Sequence, residues 1–195
     1  MKKWNELPKV MQNDKVKYYY DILQEHEKEL KLKRAFDIIC SLIMIIILSP
    51  VLIILSVMIK LDSKGPVLFK QVRVTTYGRK FKIWKFRTMV NNADKLGTQV
   101  TTKGDARITR MGHLLRKVRL DELPQLFNVL KGDMTFVGTR PEVPKYTAHY
   151  TEEMMATFLL PAGVTSRTSI EYKDEEKLLE NAENADEVYI NEVLP

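Results

Sequence analysis

The feature that most constrains this chain is an uncharged apolar segment of 22 residues at positions 38–59. A straight helix of that length measures about 33 Å, which matches the hydrocarbon core of a bilayer. The segment lies too far from Met1, and is too long, for a cleavable signal peptide. The sequence therefore predicts a helix that enters a membrane.

This segment has basic residues on both sides. Residues 28–34 contain four Lys and Arg, and residues 60–87 contain nine. Positive charge favours the cytoplasmic side of a membrane, and a straight crossing satisfies only one flank. Ser49 and Pro50 lie near the centre, where proline removes a helical hydrogen bond and favours a kink. The pattern favours a re-entrant helix that returns to the same face, while a straight crossing and a buried core helix stay open.

The flanking charge divides the chain into three expected parts. Residues 1–33 predict an amphipathic or juxtamembrane helix, residues 34–61 the re-entrant helix, and residues 62–195 a cytoplasmic domain. Trp4 and the tyrosines at 18–20 suit a membrane interface. A solvated helix that packs on a partner or on the chain itself is an equal alternative. Residues 1–33 also offer a homodimer contact, although no heptad repeat supports it.

The charge distribution points to an anionic partner. The 195 residues carry a net charge of +6. Residues 62–120 contain 15 basic and 3 acidic side chains, so +12, whereas residues 121–195 contain 6 and 15, so −9. Nucleic acid, a membrane surface and a phosphorylated substrate all fit such a basic block. The single cysteine, Cys40, excludes an intramolecular disulfide and a CxxC zinc site.

The soluble part predicts a mixture of strands and helices. Residues 64–89 alternate apolar and basic side chains around a turn at Gly78, which predicts a hairpin with one cationic face. Residues 105–118 predict an amphipathic helix capped by Asp105. A second helix is expected to start near Asp121 and to end at Gly132. Residues 174–194 predict an acidic helix.

Asp121 and Glu122 are the candidate catalytic pair. Two adjacent carboxylates at a positive helix end, with Arg116 upstream, stay ionised and suit a nucleophile or a Mg²⁺ ligand. Capping of the helix by acidic residues in its first turn is the structural alternative. Arg140, before Pro141 in a rigid turn, suits a phosphate.

Taken together, these residues resemble the bacterial sugar transferase family, the monotopic polyprenyl-phosphate phosphoglycosyl transferases. The resemblance runs from about Lys33 to the C-terminus. It rests on five blocks in fixed order: KRAFDIICS…LSP, GPVLFKQVR, FKIWKFRTM, the long block DARITRMGHLLRKVRLDELPQLFNVLKGDMTFVGTRPE, and PAGVTSRTSIEYKDEE. The order and the long central block make the resemblance specific.

The resemblance implies an α+β fold with a re-entrant helix broken at Ser49-Pro50, a small cytoplasmic α/β catalytic domain and interfacial helices. It implies a dyad of Asp121 and Glu122, with Mg²⁺ held by Asp121. The expected reaction starts capsule, exopolysaccharide or O-antigen assembly at the bacterial plasma membrane. Asp121 attacks the β-phosphate of a UDP-sugar, UMP leaves, and a polyprenyl (undecaprenyl) phosphate takes the phosphosugar. The expected phosphate- and substrate-binding residues are Lys85, Arg87, Arg116, Gln125 and Arg140.

Two departures and three competing hypotheses accompany this expectation. The family turn usually reads Pro-Arg-Pro, whereas Thr139 precedes Arg140 here, and relatives commonly continue past Pro195. The alternatives are a membrane-anchored scaffold or anion-binding protein, a nucleic-acid binder, and a transferase without a covalent intermediate. No nucleic-acid module is recognisable, so a nucleic-acid partner is not expected. The sequence does not identify the sugar.

Overall fold

The computed structural model describes residues 1–93 and 105–166, which form a mixed α+β structure with one long apolar helix. The predicted acidic helix at 174–194 lies outside these residues. Short 3₁₀ turns connect several elements. The helices are α1 (Asp14–Glu25), α2 (Glu27–Asp62), α3 (Arg110–Lys117), α4 (Gln125–Lys131) and α5 (Pro144–Thr147), and the strands are β1 (Leu68–Thr75), β2 (Arg79–Phe86), β3 (Met134–Val137) and β4 (Ala162–Thr165).

The predicted hairpin is confirmed. Strands β1 and β2 pair antiparallel, from Leu68 opposite Phe86 to Thr75 opposite Arg79. Tyr77 and Gly78 take positive φ angles of 59° and 73° in the turn, a region that glycine occupies without strain. Strands β3 and β4 form a separate parallel pair.

Helix α3 starts later than the sequence predicts. Its N-cap is Thr109, whose hydroxyl accepts a hydrogen bond from the Gly112 N–H at 3.0 Å. The expected cap, Asp105, instead binds the guanidinium of Arg107 at 2.6 Å and the Arg107 backbone N–H at 3.0 Å. The prediction of Asp105 as the cap is therefore wrong, because a local ion pair occupies its carboxylate.

Helix α4 follows the acidic pair instead of containing it. Asp121 and Glu122 lie in a 3₁₀ turn, Leu120–Glu122, and α4 begins at Gln125 after Pro124. The predicted C-terminal end is confirmed, because Gly132 adopts a left-handed φ of 85° directly after the helix.

Helix α2 runs without interruption through both the basic stretch and the apolar segment. It is long and apolar enough to cross a membrane by length and composition. Most of its large apolar side chains are exposed, which is typical of a surface that lipid covers. Buried residues occur only toward its two ends: Asp37, Ser41, Leu55 and Ile59.

Residues 1–25 pack on the globular part of the structure. Tyr20 of α1 and Met11 of the preceding turn are buried, and they share a cluster with Val74 of β1 and Leu159. The Asn13 side chain caps α1 by accepting from the Val16 N–H at 3.0 Å. The N-terminal region therefore adds to the core of the domain.

Candidate active site

A strained turn presents the two candidate catalytic carboxylates. Arg119 ends the α3 region with a left-handed φ of 57°, a conformation that costs a non-glycine residue about 1–2 kcal/mol. The 3₁₀ turn Leu120–Glu122 follows, and Pro124 then leads into α4. Backbone strain of this kind clusters at functional sites because the surrounding structure has to hold it.

Lys85 of β2 holds the second carboxylate of the pair. Its Nζ lies 2.7 Å from Oε1 of Glu122, and both side chains are about one quarter exposed. The sequence expectation places Lys85 at the site, and the structure brings it there. Its contact with Glu122 shows how the hairpin and the acidic turn meet.

Asp121 is half-buried, and its pKa is raised. Burial is the main cause, because it disfavours the charged carboxylate. Lys85 opposes this effect, the neighbouring Glu122 adds to it, and Arg116 opposes it more weakly. The charges of Lys85 and Arg116 thus act on Asp121 in a partly buried environment, which suits a carboxylate that has to meet a phosphate.

Arg116 reaches the site from α3, whose position depends on one close backbone contact. The Arg116 Nε donates to the Thr88 hydroxyl at 2.9 Å. The Thr109 N–H donates to the Thr88 carbonyl at 3.0 Å. A Cβ on Gly112 would lie 2.0 Å from that same carbonyl oxygen, so only glycine fits. The sequence showed Arg116 but gave no signal for Thr88.

Arg87 has a different environment from the one expected of a diphosphate ligand. Its guanidinium is buried and donates to the carbonyl oxygens of Ser63 at 2.7 Å and Lys64 at 2.9 Å, just after the end of α2. Burial lowers the pKa of Arg87, although nearby Asp62 opposes the effect. These contacts satisfy carbonyls that follow a helix C-terminus, so the role they support is an anchor for α2.

Gln125 and Arg140 differ in their exposure to solvent. Gln125 is buried in the first turn of α4, three residues after Glu122. Arg140 is exposed and follows β3, in the turn that Thr139 enters in place of the usual proline. Their roles in substrate binding stay predictions.

Asn128 is a buried polar residue that links α4 to strand β2. Its amide accepts from the Trp84 N–H at 3.0 Å and donates to the Lys82 carbonyl at 2.9 Å, so it pairs with the edge of β2 as a neighbouring strand would. This pairing fixes α4, and the acidic turn before it, against the strand that carries Lys85. The sequence pattern that could have indicated this role is a polar residue on the apolar side of a short helix.

Asp121 is the member of the acidic pair that could hold a metal ion together with a substrate. Mg²⁺ is commonly bound by one or two carboxylates together with phosphate oxygens. Within residues 1–93 and 105–166, no group of three or more His, Cys, Asp or Glu forms a complete protein cage. Asp121 supplies one carboxylate, while Glu122 is engaged with Lys85. The donor set therefore fits a Mg²⁺ ion that Asp121 would hold and that would take its remaining ligands from outside the protein.

Residues 28–194 match the protein family described as bacterial sugar transferase. The chain belongs to this family. A relative from Aeromonas hydrophila, named UDP-N-acetylgalactosamine-undecaprenyl-phosphate N-acetylgalactosaminephosphotransferase, is 46% identical over 123 residues, which is 63% of this chain and 29% of that protein.

Two further relatives carry names with other sugars. The UDP-glucose:undecaprenyl-phosphate glucose-1-phosphate transferase of Escherichia coli K12 is 40% identical over 157 residues, 78% of this chain and 34% of the relative. The undecaprenyl-phosphate galactose phosphotransferase of Salmonella typhimurium is 39% identical over 149 residues, 69% of this chain and 31% of the relative. The chain thus spans about one third of the length of these sugar transferases.

Proposed function

We propose that this sugar transferase moves a sugar 1-phosphate from a UDP-sugar to undecaprenyl phosphate, and so starts assembly of a surface polysaccharide. The observation that carries the proposal is the half-buried Asp121 beside the ion pair of Lys85 with Glu122, within a family whose relatives are named for this transfer. The differing sugars in those names leave the donor sugar open.

Asp121 acts as the nucleophile in the first step. One of its carboxylate oxygens forms a bond to the β-phosphorus of the UDP-sugar, while the bond from that phosphorus to the bridging oxygen breaks. UMP leaves with the bridging oxygen, and the phosphosugar stays on Asp121 as an acyl phosphate. A covalent intermediate divides one difficult displacement into two easier ones.

The second step returns the enzyme to its starting state. A phosphate oxygen of undecaprenyl phosphate bonds to the same phosphorus, the bond to Asp121 breaks, and undecaprenyl diphosphate-sugar forms. Lys85 and Arg116 offset negative charge around the reacting phosphate, and Glu122 keeps Lys85 in place. When bound by Asp121 and the diphosphate, Mg²⁺ supplies further charge neutralisation for the departing UMP.

We also propose that α2 is re-entrant. Near its N-terminal end, Arg34 donates to the carbonyls of Val129 and Leu130 in α4, at 2.6 and 2.8 Å. Near its C-terminal end, Ile59 packs in a buried cluster with Leu115 of α3. Since α3 and α4 belong to one folded domain, which lies on one side of a bilayer, both ends of α2 lie on that side. This supports a cytoplasmic domain below a helix that enters and returns.

The Ser49-Pro50 pair supports a bend within the apolar segment. Proline has no N–H, so the Ile46 carbonyl four residues earlier loses its helical donor. The Ser49 hydroxyl donates to that carbonyl at 2.8 Å. The serine thereby satisfies the group that proline leaves without a partner, which matters most where no water is present.

The test is UMP release by the full chain in nanodiscs with undecaprenyl phosphate, Mg²⁺ and a panel of UDP-sugars. We expect release with one or a few sugars, its loss in Asp121→Asn, and loss of most activity in Glu122→Gln. Asp21→Asn is the matched control, because Asp21 is an exposed carboxylate on α1. Full turnover in Asp121→Asn would exclude the covalent step, and no release from any donor would favour a scaffold.

A further inference from the structure

The outer face of the hairpin carries a tryptophan between two lysines. Lys70 of β1 and Lys131 of α4 lie over the ring of Trp84, with their Nζ atoms 4.8 and 4.2 Å from its centroid. The register places Lys70 opposite Trp84 and Val72 opposite Lys82, so these four side chains share one face. We call Lys70, Val72, Lys82, Trp84 and Lys131 the Trp84 patch.

The Trp84 patch is separate from the candidate active site. Successive side chains of a strand point to opposite faces, so Trp84 and its neighbour Lys85 face different ways. Lys85 binds Glu122. A ligand of the Trp84 patch is therefore not the nucleotide that meets Asp121.

The patch lies between the two places where α2 joins the domain. Lys131 directly follows Leu130, whose carbonyl accepts from Arg34 of α2. On the other side, the strand pair next to Lys70 and Trp84 on the same face is Leu68 and Phe86. Phe86 is buried in the cluster that contains Leu55 and Ile59 of α2. The patch is thus continuous with the surface from which the apolar segment leaves the domain.

The charge and chemistry of the patch match an anionic membrane surface. Lys70, Lys82 and Lys131 are exposed, and none of them forms an ion pair with the residues that the structure describes. Val72 adds an exposed apolar side chain. Lysines with long apolar stems around a tryptophan are typical of the headgroup region of a bilayer.

We propose that the Trp84 patch binds the phosphate headgroups of anionic phospholipids and holds the catalytic domain against the membrane. This inference rests on the proposed membrane insertion of α2, since that insertion brings the patch to the bilayer. Three lysines would attract the anionic lipids while Trp84 and Val72 enter the interface. The patch would then fix the height and tilt of the domain, and with them the distance between Asp121 and a lipid-borne phosphate.

The chain itself supplies the probes for a test. Trp4 and Trp84 are its two tryptophans and Cys40 its one cysteine. In the Trp4→Phe variant, Trp84 fluorescence is recorded in phosphatidylcholine vesicles with and without phosphatidylglycerol, using a lipid with a quenching group at the headgroup. On a second sample, an environment-sensitive dye on Cys40 reports whether α2 is in hydrocarbon.

We expect headgroup quenching of Trp84 that increases with phosphatidylglycerol and decreases with salt. Each lysine near an anionic surface contributes about fivefold to binding. Lys70→Glu with Lys131→Glu should therefore lower the ratio of docked to undocked domain by at least about tenfold. The matched control is Lys9→Glu with Lys15→Glu, which changes the net charge equally on exposed N-terminal positions and should leave quenching unchanged.

Three results would overturn the proposal. Cys40 in hydrocarbon with Trp84 unquenched would show that the patch faces water or another part of a protein, and the proposed function would stand. Cys40 in water would remove the membrane insertion on which both proposals depend. Equal loss of quenching in the control variant would show that general charge attraction, and not the patch, holds the domain at the membrane.

Discussion

Asp121 can attack a phosphate only when it is ionised, so its surroundings set the acidic limit of activity. Burial raises the pKa of Asp121, and Lys85 is the main group that opposes this effect. Removing the Lys85 cation in Lys85→Gln removes stabilisation of the charged carboxylate, so the pKa rises further. We expect the acid limb of kcat/KM for UMP release to move to higher pH, in addition to any loss of rate.

The control for this shift is Lys80→Gln, five residues earlier on the same strand. Lys80 is exposed, lies on the face opposite Lys85 and is outside the Trp84 patch. Its replacement removes the same charge but should leave the acid limb in place. An unchanged limb in Lys85→Gln would mean that Lys85 does not set the ionisation of Asp121.

The same raised pKa predicts that Asp121 lowers the stability of the fold at neutral pH. A carboxyl group whose pKa is higher in the folded than in the unfolded state binds more protons when folded, so its contribution to stability falls as pH rises. Asparagine keeps the shape and carries no charge. We expect Asp121→Asn to raise Tm relative to wild type at pH 7, with a difference that shrinks toward pH 4. An equal difference at both pH values would contradict this explanation.

Among the elements, Arg34 joins the membrane helix to the helix that follows the acidic turn. Its two terminal nitrogens donate to the Val129 and Leu130 carbonyls in the last turn of α4. Arg34→Lys keeps the charge but loses the fork that reaches both carbonyls. We expect a loss of about 1.5–3 kcal/mol in the free energy of unfolding, together with reduced UMP release.

The Lys31→Gln variant distinguishes the Arg34 contact with α4 from a general effect of positive charge on this flank. Lys31 is 73% exposed and, among the residues that the structure describes, forms an ion pair with Glu27. If the positive charge of the flank alone positions α2, Lys31→Gln should disturb it and Arg34→Lys should not. If the contact of Arg34 with α4 positions the helix, Arg34→Lys should disturb it and Lys31→Gln should not. Thermal unfolding in detergent and labelling of cysteines placed at positions 28 and 64 distinguish the two results.

Elements with strong local signals could be predicted from sequence, whereas those set by long-range contacts could not. The hairpin and the stop at Gly132 follow from alternation and from glycine at a positive φ angle. The start of α3 at Thr109 depends on the ion pair between Asp105 and Arg107, which removes Asp105 as a cap. The alternation of apolar and basic residues could not show that the Arg87 guanidinium binds the carbonyls after the end of α2. Each of these outcomes depends on which partner a side chain meets in the folded chain.

The candidate site was likewise predictable only where the signal is local. The local sequence predicted Asp121, Glu122 and Arg116 as site residues, and the basic residues of the predicted hairpin included Lys85. The pairing of Lys85 with Glu122 joins residues 37 positions apart, and no short-range pattern encodes it. A homodimer through residues 1–33 stays a prediction, because the structure contains one chain.

In the folded chain, the N-terminal segment packs into the core of the domain that carries the candidate site. Tyr20 is 2% exposed, packs edge-on against Trp4 at 5.2 Å and donates a hydrogen bond to the Lys2 carbonyl. Its cluster also contains Val74, on the same strand as Lys70. Loss of this packing should therefore weaken the hairpin that carries Lys85, although the site is built from later residues.

The run of three tyrosines offers a matched test of this conclusion. Tyr20→Ala removes a buried ring and leaves a cavity, so we expect a loss of about 3–5 kcal/mol in the free energy of unfolding. Tyr18 is 65% exposed, so Tyr18→Ala should change stability by less than about 0.5 kcal/mol. Chemical or thermal unfolding of both variants in the same detergent measures the difference. If the segment were a separate arm lying on the membrane, Tyr20→Ala would leave unfolding of the domain unchanged, and the two variants would behave alike.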